Sequence, residues 1–233
     1  MSSATFLYSF FVKPFSVQLA AFLLLAIILF VSFELLPLFF GSKSSVKKNL
    51  PDFLRFQVLR GGIIVLVGAA LSSLFFFVGI ANGLINISYL PLVLQVLIIY
   101  LSSEFCIYWL HRSVHRHVVP LISRAHHFHH SVTTDMEWVN SKKEHYLVLF
   151  LFVFVFSFFF FIIFHPSGAA RAVALGVYVL LNAFSHLNSH ISVAYLDRVF
   201  LFPKDHLRHH TKRSGPYGIT LSLFDTIFDT RGD

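Results

Sequence analysis

Several stretches of this chain stay apolar for longer than a soluble core requires, and a run of eighteen or more such residues reads as a membrane-crossing helix. The first is Phe15 to Phe40, in which Val17–Phe33 is broken only by Gln18 and Ser32, with Glu34 and Pro37 marking its end. The second is Gly61 to Ile80, and the third runs from about Leu84 to Leu110, with Pro91 inside it and Glu104 near its end. Leu147–Phe164 and Ala169–Leu187 then form an apolar hairpin around His165-Pro166-Ser167-Gly168. That makes five candidate spans, with Phe15–Phe40 or the hairpin open to a partly re-entrant reading. The expected fold is therefore all-α: a polytopic helical membrane protein of four to five spans, in one integral membrane domain over residues 1–233. Residues 1–83 hold the N-terminal spans and 84–233 the region that carries the chemistry. A 56% hydrophobic and 12% charged composition excludes disorder, and a single cysteine excludes a disulfide scaffold. The N-terminus lacks early positive charge and a clear cleavage site, so a cleaved signal peptide is not expected.

Lys and Arg outnumber Asp and Glu by 18 to 11, which raises the question of a nucleic-acid partner. The positions of the charges answer it. With the N-terminus outside, Gly41–Arg60, His111–Tyr146 and the C-terminal tail all fall on one side of the membrane, and they carry 16 of the 18 basic residues. Only Lys13 and Arg171 lie on the other. The excess follows the positive-inside rule, no nucleic-acid partner is needed, and the tail is expected in the cytoplasm. On that side the terminal Arg231-Gly232-Asp233 reads as a chance match to an integrin motif.

The chain has 14 histidines, and ten fall in four short boxes. These are His111-x3-His115, His126-x2-His129-His130, His186-x3-His190 and His206-x2-His209-His210. On a helix, residues three and four apart share a face, so each box points its imidazoles one way. Imidazole suits iron, copper, zinc and nickel. The boxes flank the apolar hairpin, which crosses and returns, so all four come to one face at the membrane boundary. Ten ligands exceed what one ion takes and suit two ions close together. A lone histidine at an interface more often hydrogen-bonds or snorkels, and His117, His127, His145 and His165 are read that way.

Residues 104–115, Glu-Phe-Cys-Ile-Tyr-Trp-Leu-His-Arg-Ser-Val-His, and then His126-His127-Phe128-His129-His130-Ser131, resemble the fatty acid hydroxylase/sterol desaturase superfamily of membrane di-iron enzymes. Downstream, Pro203–His210 resembles that family's last histidine box, and Tyr217–Thr230, with Asp225 in it, its closing segment. The likeness covers about residues 100–230. Glu104 stands where the family usually has Asp, and Lys143 where it has Arg before His145. The third box reads two ways: His186-Leu187-Asn188 matches members with one histidine followed by Asn, and His186-x3-His190 matches members with a pair.

The resemblance implies two iron ions, with zinc a competitor for the same histidines, and O2-dependent attack on a C–H bond of a lipid. Its metal ligands are His111, His115, His126, His129, His130, His186, His190, His206, His209 and His210, with Glu104, Asn188 and His145 behind them. No catalytic residue beyond the ligands is implied. The lipid enters sideways from the bilayer, and the product carries a hydroxyl or a double bond. Glu104 lies two turns below His111 on the same face, where it orients a ligand imidazole or neutralises itself in an interhelical hydrogen bond. Tyr108 and Trp109 read as an interfacial aromatic belt. No flavin, nicotinamide, haem or iron–sulfur motif is present, so a separate electron donor of the cytochrome b5 or ferredoxin type is expected on the basic face. The competing reading is a histidine-rich metal transporter, or a metal-binding membrane protein without oxygenase activity. A transporter would carry polar ligands in mid-span, where this chain has mainly Phe, Leu, Ile and Val.

Overall fold

The computed structural model describes residues 51, 83–131, 148, 151–152, 154–155, 158–186 and 191–232. The expected spans Phe15–Phe40 and Gly61–Ile80, and the residues His145, Asn188 and His190, lie outside the described residues. What is described is mostly helical. In chain order it comprises β1 (Ile85–Asn86), α1 (Leu92–His115), α2 (Pro120–His129), a π-helical stretch Phe158–Ile163, β2 (Phe164–His165) and α3 (Gly168–Ser185). A 3-10 turn Leu196–Arg198, α4 (Pro203–Lys212) and α5 (Leu223–Ile227) follow.

α1 is the one helix among the described residues long and apolar enough to cross a membrane, with a mean hydropathy of 1.7. Its start differs from the sequence expectation. Pro91, expected inside a span beginning near Leu84, stands at the N-cap instead. Proline has no N–H to give, and its ring would collide with the carbonyl of the preceding turn, so the helix begins after it. The residues before it form β1, which pairs in parallel with β2 of the apolar hairpin. Gly83 makes that approach possible: at φ +62 a Cβ there would sit 2.6 Å from the His165 nitrogen. One buried side chain then ties this end together. Gln95 donates to the carbonyls of Ser88 and Leu90 at 3.2 and 2.7 Å, and its own oxygen accepts from the Ser167 N–H at 2.7 Å. Ser167 in turn caps α3 by accepting from Ala170 N.

From this tied end α1 packs against α3 and, further along, α2. Ile99, Ile107, Ala125, Phe152, Ala174, Ile219 and Leu221 form the buried apolar core between them. Past that core α1 continues without a break through His111 to His115, so the first histidine box rides on the membrane-length helix itself. Prolines at the first position of α2 and of α4 start those two helices. The closing segment runs back over the end of α1, with Phe200 and Leu221 bridged antiparallel and the Leu201 N–H bonded to the Thr220 carbonyl at 2.9 Å.

Candidate metal centre

Nine of the ten boxed histidines are described, and they converge at one end of the helices. His111 and His115 lie on the last turns of α1, and His126 and His129 on α2 with His130 as its C-cap. His186 caps α3, and His206, His209 and His210 lie on α4. All are buried except His115, which is partly so.

They sort into two groups: His111, His115, His126, His130 and His209 form one, and His129, His186, His206 and His210 the other. Within each group one nitrogen per residue lies within 4.8 Å of the rest. The partition does not follow the boxes. His126 and His130, four apart, go to one group while His129 goes to the other; His206 and His210 pair likewise and His209 crosses over. Adjacent helical residues point about 100° apart, so neighbours such as His129 and His130 cannot serve the same ion. Two triplets that exchange their middle members thus stitch α2 and α4 together, with His129 and His210 rings 4.4 Å apart and those of His130 and His209 4.7 Å apart.

Geometry and chemistry of the donor set both suit metal ions. In the first group the Nε2 atoms of His111 and His126 are 2.9 Å apart, and four further Nε2 pairs among His111, His115, His126 and His130 are 3.1 to 3.2 Å apart. An ion about 2.1 Å from two imidazole nitrogens at right angles would hold them about 3.0 Å apart. In the second group the Nε2 atoms of His186 and His206 are 3.1 Å apart.

Backbone carbonyls accept from the opposite ring nitrogens, which decides the tautomer. His111 Nδ1–H donates to the Tyr217 carbonyl at 2.7 Å, His115 to Arg213 at 3.2 Å, His209 to Ser214 at 2.5 Å and His186 to Asn182 at 2.7 Å. A neutral ring that donates through Nδ1 has a bare lone pair at Nε2. The lone pairs of His111 and His115 therefore face each other at 3.2 Å, and His209 Nε2 is buried without a hydrogen-bond partner among the described residues. Burial, and then the other imidazoles nearby, hold His126, His129, His206 and His209 well below the ordinary imidazole pKa, so protons do not relieve the crowding. Divalent cations would.

The supports behind the ligands are largely main chain. Arg213 ends α4 in a left-handed conformation, φ +57, donating its N–H to the His209 carbonyl at 2.8 Å and turning its own carbonyl toward His115. Among the described residues, Glu104 makes no hydrogen bond to a histidine. Its Oε2 accepts from the Leu221 and Thr220 amides at 3.2 and 3.4 Å, so it holds the closing segment. Asp225 holds the same segment from the other end, accepting from Tyr217 N at 2.7 Å, Gly218 N at 2.8 Å and the Thr230 hydroxyl at 2.8 Å. Asp205 accepts from Arg231 at 2.9 Å. Tyr108 is fully buried rather than part of an interfacial belt, its hydroxyl 3.0 Å from that of Thr230, whereas Trp109 is 41% exposed beneath the Arg112 guanidinium. Carbonyl acceptors were not foreseeable, because they have no side-chain signature. Asp225 had one signal, its place in the closing segment.

No curated protein and no solved structure shows significant similarity to the chain. The family model described as fatty acid hydroxylase matches residues 96–230, which takes in both histidine groups and the closing segment. That match extends over more than half of the sequence, and with it the chain belongs to the fatty acid hydroxylase/sterol desaturase superfamily.

Proposed function

We propose that this protein is a membrane di-iron oxidoreductase that uses O2 and two external electrons to hydroxylate, or desaturate, a C–H bond of a lipid such as a sterol, fatty acyl chain or alkyl lipid. One observation carries the reading: nine histidines from four helices sort into two adjacent buried groups, with Nε2 atoms at the spacing of a coordination shell. Two irons bound there would supply O2 activation and the oxidising power needed for an unactivated C–H bond.

The chain's own residues do the rest. The Nδ1–H bonds to Tyr217, Arg213, Ser214 and Asn182 orient the rings before any ion arrives, which reduces the reorganisation on binding. The apolar core beneath His111, with Ile107 and Phe152 in it, keeps bulk water out and gives an acyl or sterol chain a like environment. His190 is a further proposed ligand, and Asn188 and His145 are proposed supports behind the ligands. In this proposal the chain is multi-pass with its cap in the cytoplasm, and exposed Arg116, Arg124, Lys204, Lys212 and Arg213 around the histidine end support it as a basic landing surface for a cytochrome b5 or ferredoxin type donor.

The test is metal content per chain for protein expressed with iron and purified in detergent, with Mössbauer spectroscopy to detect coupling. It is followed by incubation with O2, a chemical reductant and a panel of sterol, fatty acyl and alkyl-glycerol lipids. About two coupled irons and an oxidised lipid are expected. One loosely held zinc or nickel, with no iron uptake on anaerobic reconstitution, would overturn the reading in favour of transport or a structural metal.

A further inference from the structure

The closing segment is held by two buried carboxylates, and the manner of holding differs. Asp225 uses both oxygens: Oδ1 accepts from Tyr217 N and the Thr230 hydroxyl, and Oδ2 from Gly218 N. Glu104 uses one: Oε2 accepts from Thr220 N and Leu221 N, while Oε1 is buried with no partner among the described residues. Between these grips the Tyr217 carbonyl accepts from His111 Nδ1. The segment has almost no freedom of its own there, since a Cβ on Gly218 would come 1.8 Å from the Leu221 oxygen.

We propose that Asp225 and Glu104 are positioning residues for the first histidine group: by gripping the amides of residues 217–221 they hold the Tyr217 carbonyl where it aims His111 Nε2 at the metal. The proposal rests on the metal-binding reading above. Neither carboxylate belongs to either histidine group, and in this proposal each acts through the backbone it grips.

The different use of oxygens sets the test. Asp225→Asn must turn an NH2 toward an N–H or hydroxyl donor, and so loses a grip. Glu104→Gln can place its amide oxygen where Oε2 was and its NH2 in the idle position, and so keeps both bonds. Iron-loaded full-length protein in detergent is compared by metal count and Mössbauer spectrum. Asp225→Asn should weaken the first-group iron by roughly 10- to 100-fold, leaving about one uncoupled iron per chain, whereas Glu104→Gln keeps the coupled pair. Should Asp225→Asn not fold, Thr230→Val removes the hydroxyl's bond to Asp225 together with its contact to the Tyr108 hydroxyl, and Tyr108→Phe, which removes the second contact and leaves the first, is the control. Thr230→Val should shift the quadrupole splitting of one iron, and Thr230→Ser should restore it.

A wild-type spectrum in Asp225→Asn, or in Thr230→Val, overturns the proposal alone. Equal iron loss in Asp225→Asn and Glu104→Gln overturns it too, because charge rather than hydrogen-bond geometry would then govern. A wild-type chain that binds no iron pair removes the metal reading, and the proposal with it.

Discussion

An imidazole coordinates through one nitrogen, so the partner of the other nitrogen decides where the lone pair points. In this chain that partner is repeatedly a main-chain carbonyl, and the carbonyls of Tyr217, Arg213 and Ser214 all come from the stretch between α4 and α5. Each histidine group draws on helices far apart in sequence, and removing one ring should therefore disable a group without unfolding its helices. His209→Ala takes a ligand from the five-membered group and His129→Ala one from the four-membered group. Either should abolish the coupled iron pair and lipid oxidation while the far-ultraviolet circular dichroism stays that of wild type; full activity in either would remove the ligand assignment. His117 is the control. It is exposed, its ring 5.3 Å from that of His127 and outside both groups, so His117→Ala should keep its iron. The boxes themselves were legible in the sequence, because i, i+3, i+4 spacing is a property of the helix. The partition between groups was not, since the same spacing allows the middle histidine to face either ion until a second helix supplies the facing rings.

At the scale of elements, the segment between α4 and α5 is the least regular part of the cap and the most constrained. Gly218 makes this measurable. Its missing Cβ would overlap the Leu221 oxygen at 1.8 Å and meet Asp225 Oδ2 at 3.0 Å, so Gly218→Ala must displace backbone and should cost about 1–3 kcal/mol in thermal unfolding in detergent. Gly176, in α3, has nothing within 4 Å of such a Cβ, and Gly176→Ala should stay within about 1 kcal/mol of wild type. An equal cost at both sites would show that the tight packing of the closing segment is not as described. The tail is a second constraint. Arg231, read from sequence as part of a chance tripeptide, bonds Asp205 at 2.9 Å and lies 3.5 Å from Asp197, so it pins α4 one residue before His206. Asp205 is only 10% exposed, and Arg231→Ala should destabilise the protein by about 1–3 kcal/mol, checked by the same unfolding measurement. Tripeptide identity carried no hint of this, because the pairing spans 26 residues and depends on how the closing segment folds back.

For the whole molecule, α1 links the two ends. Its 24 residues span about 36 Å, longer than a hydrocarbon core of about 30 Å, so the helix can cross and still carry its last turn beyond the boundary. His111 and His115 occupy that last stretch, whereas the Gln95 latch and the β1–β2 pair lie at the opposite end. Hydropathy made the apolar core of α1 legible but not its ends. Pro91 moved the start to Leu92, and the polar Arg112, Ser113 and His115 concealed the helical continuation that hydropathy alone would have cut at Leu110. Exposed Arg116, Arg124, Lys204, Lys212 and Arg213 all belong to the elements around the histidine end, and by the positive-inside rule that end is predicted to face the cytoplasm. The chain's single cysteine makes this testable, since Cys106→Ser gives a thiol-free background. In it, Lys212→Cys reports the histidine end and Tyr89→Cys, at a residue 77% exposed, the other. An impermeant maleimide added to intact cells should label the thiol at 89 and reach the one at 212 only after the membrane is opened. The reverse pattern would put the metal centre on the outer face, away from any cytoplasmic electron donor, and the oxidoreductase reading would then need a different source of electrons.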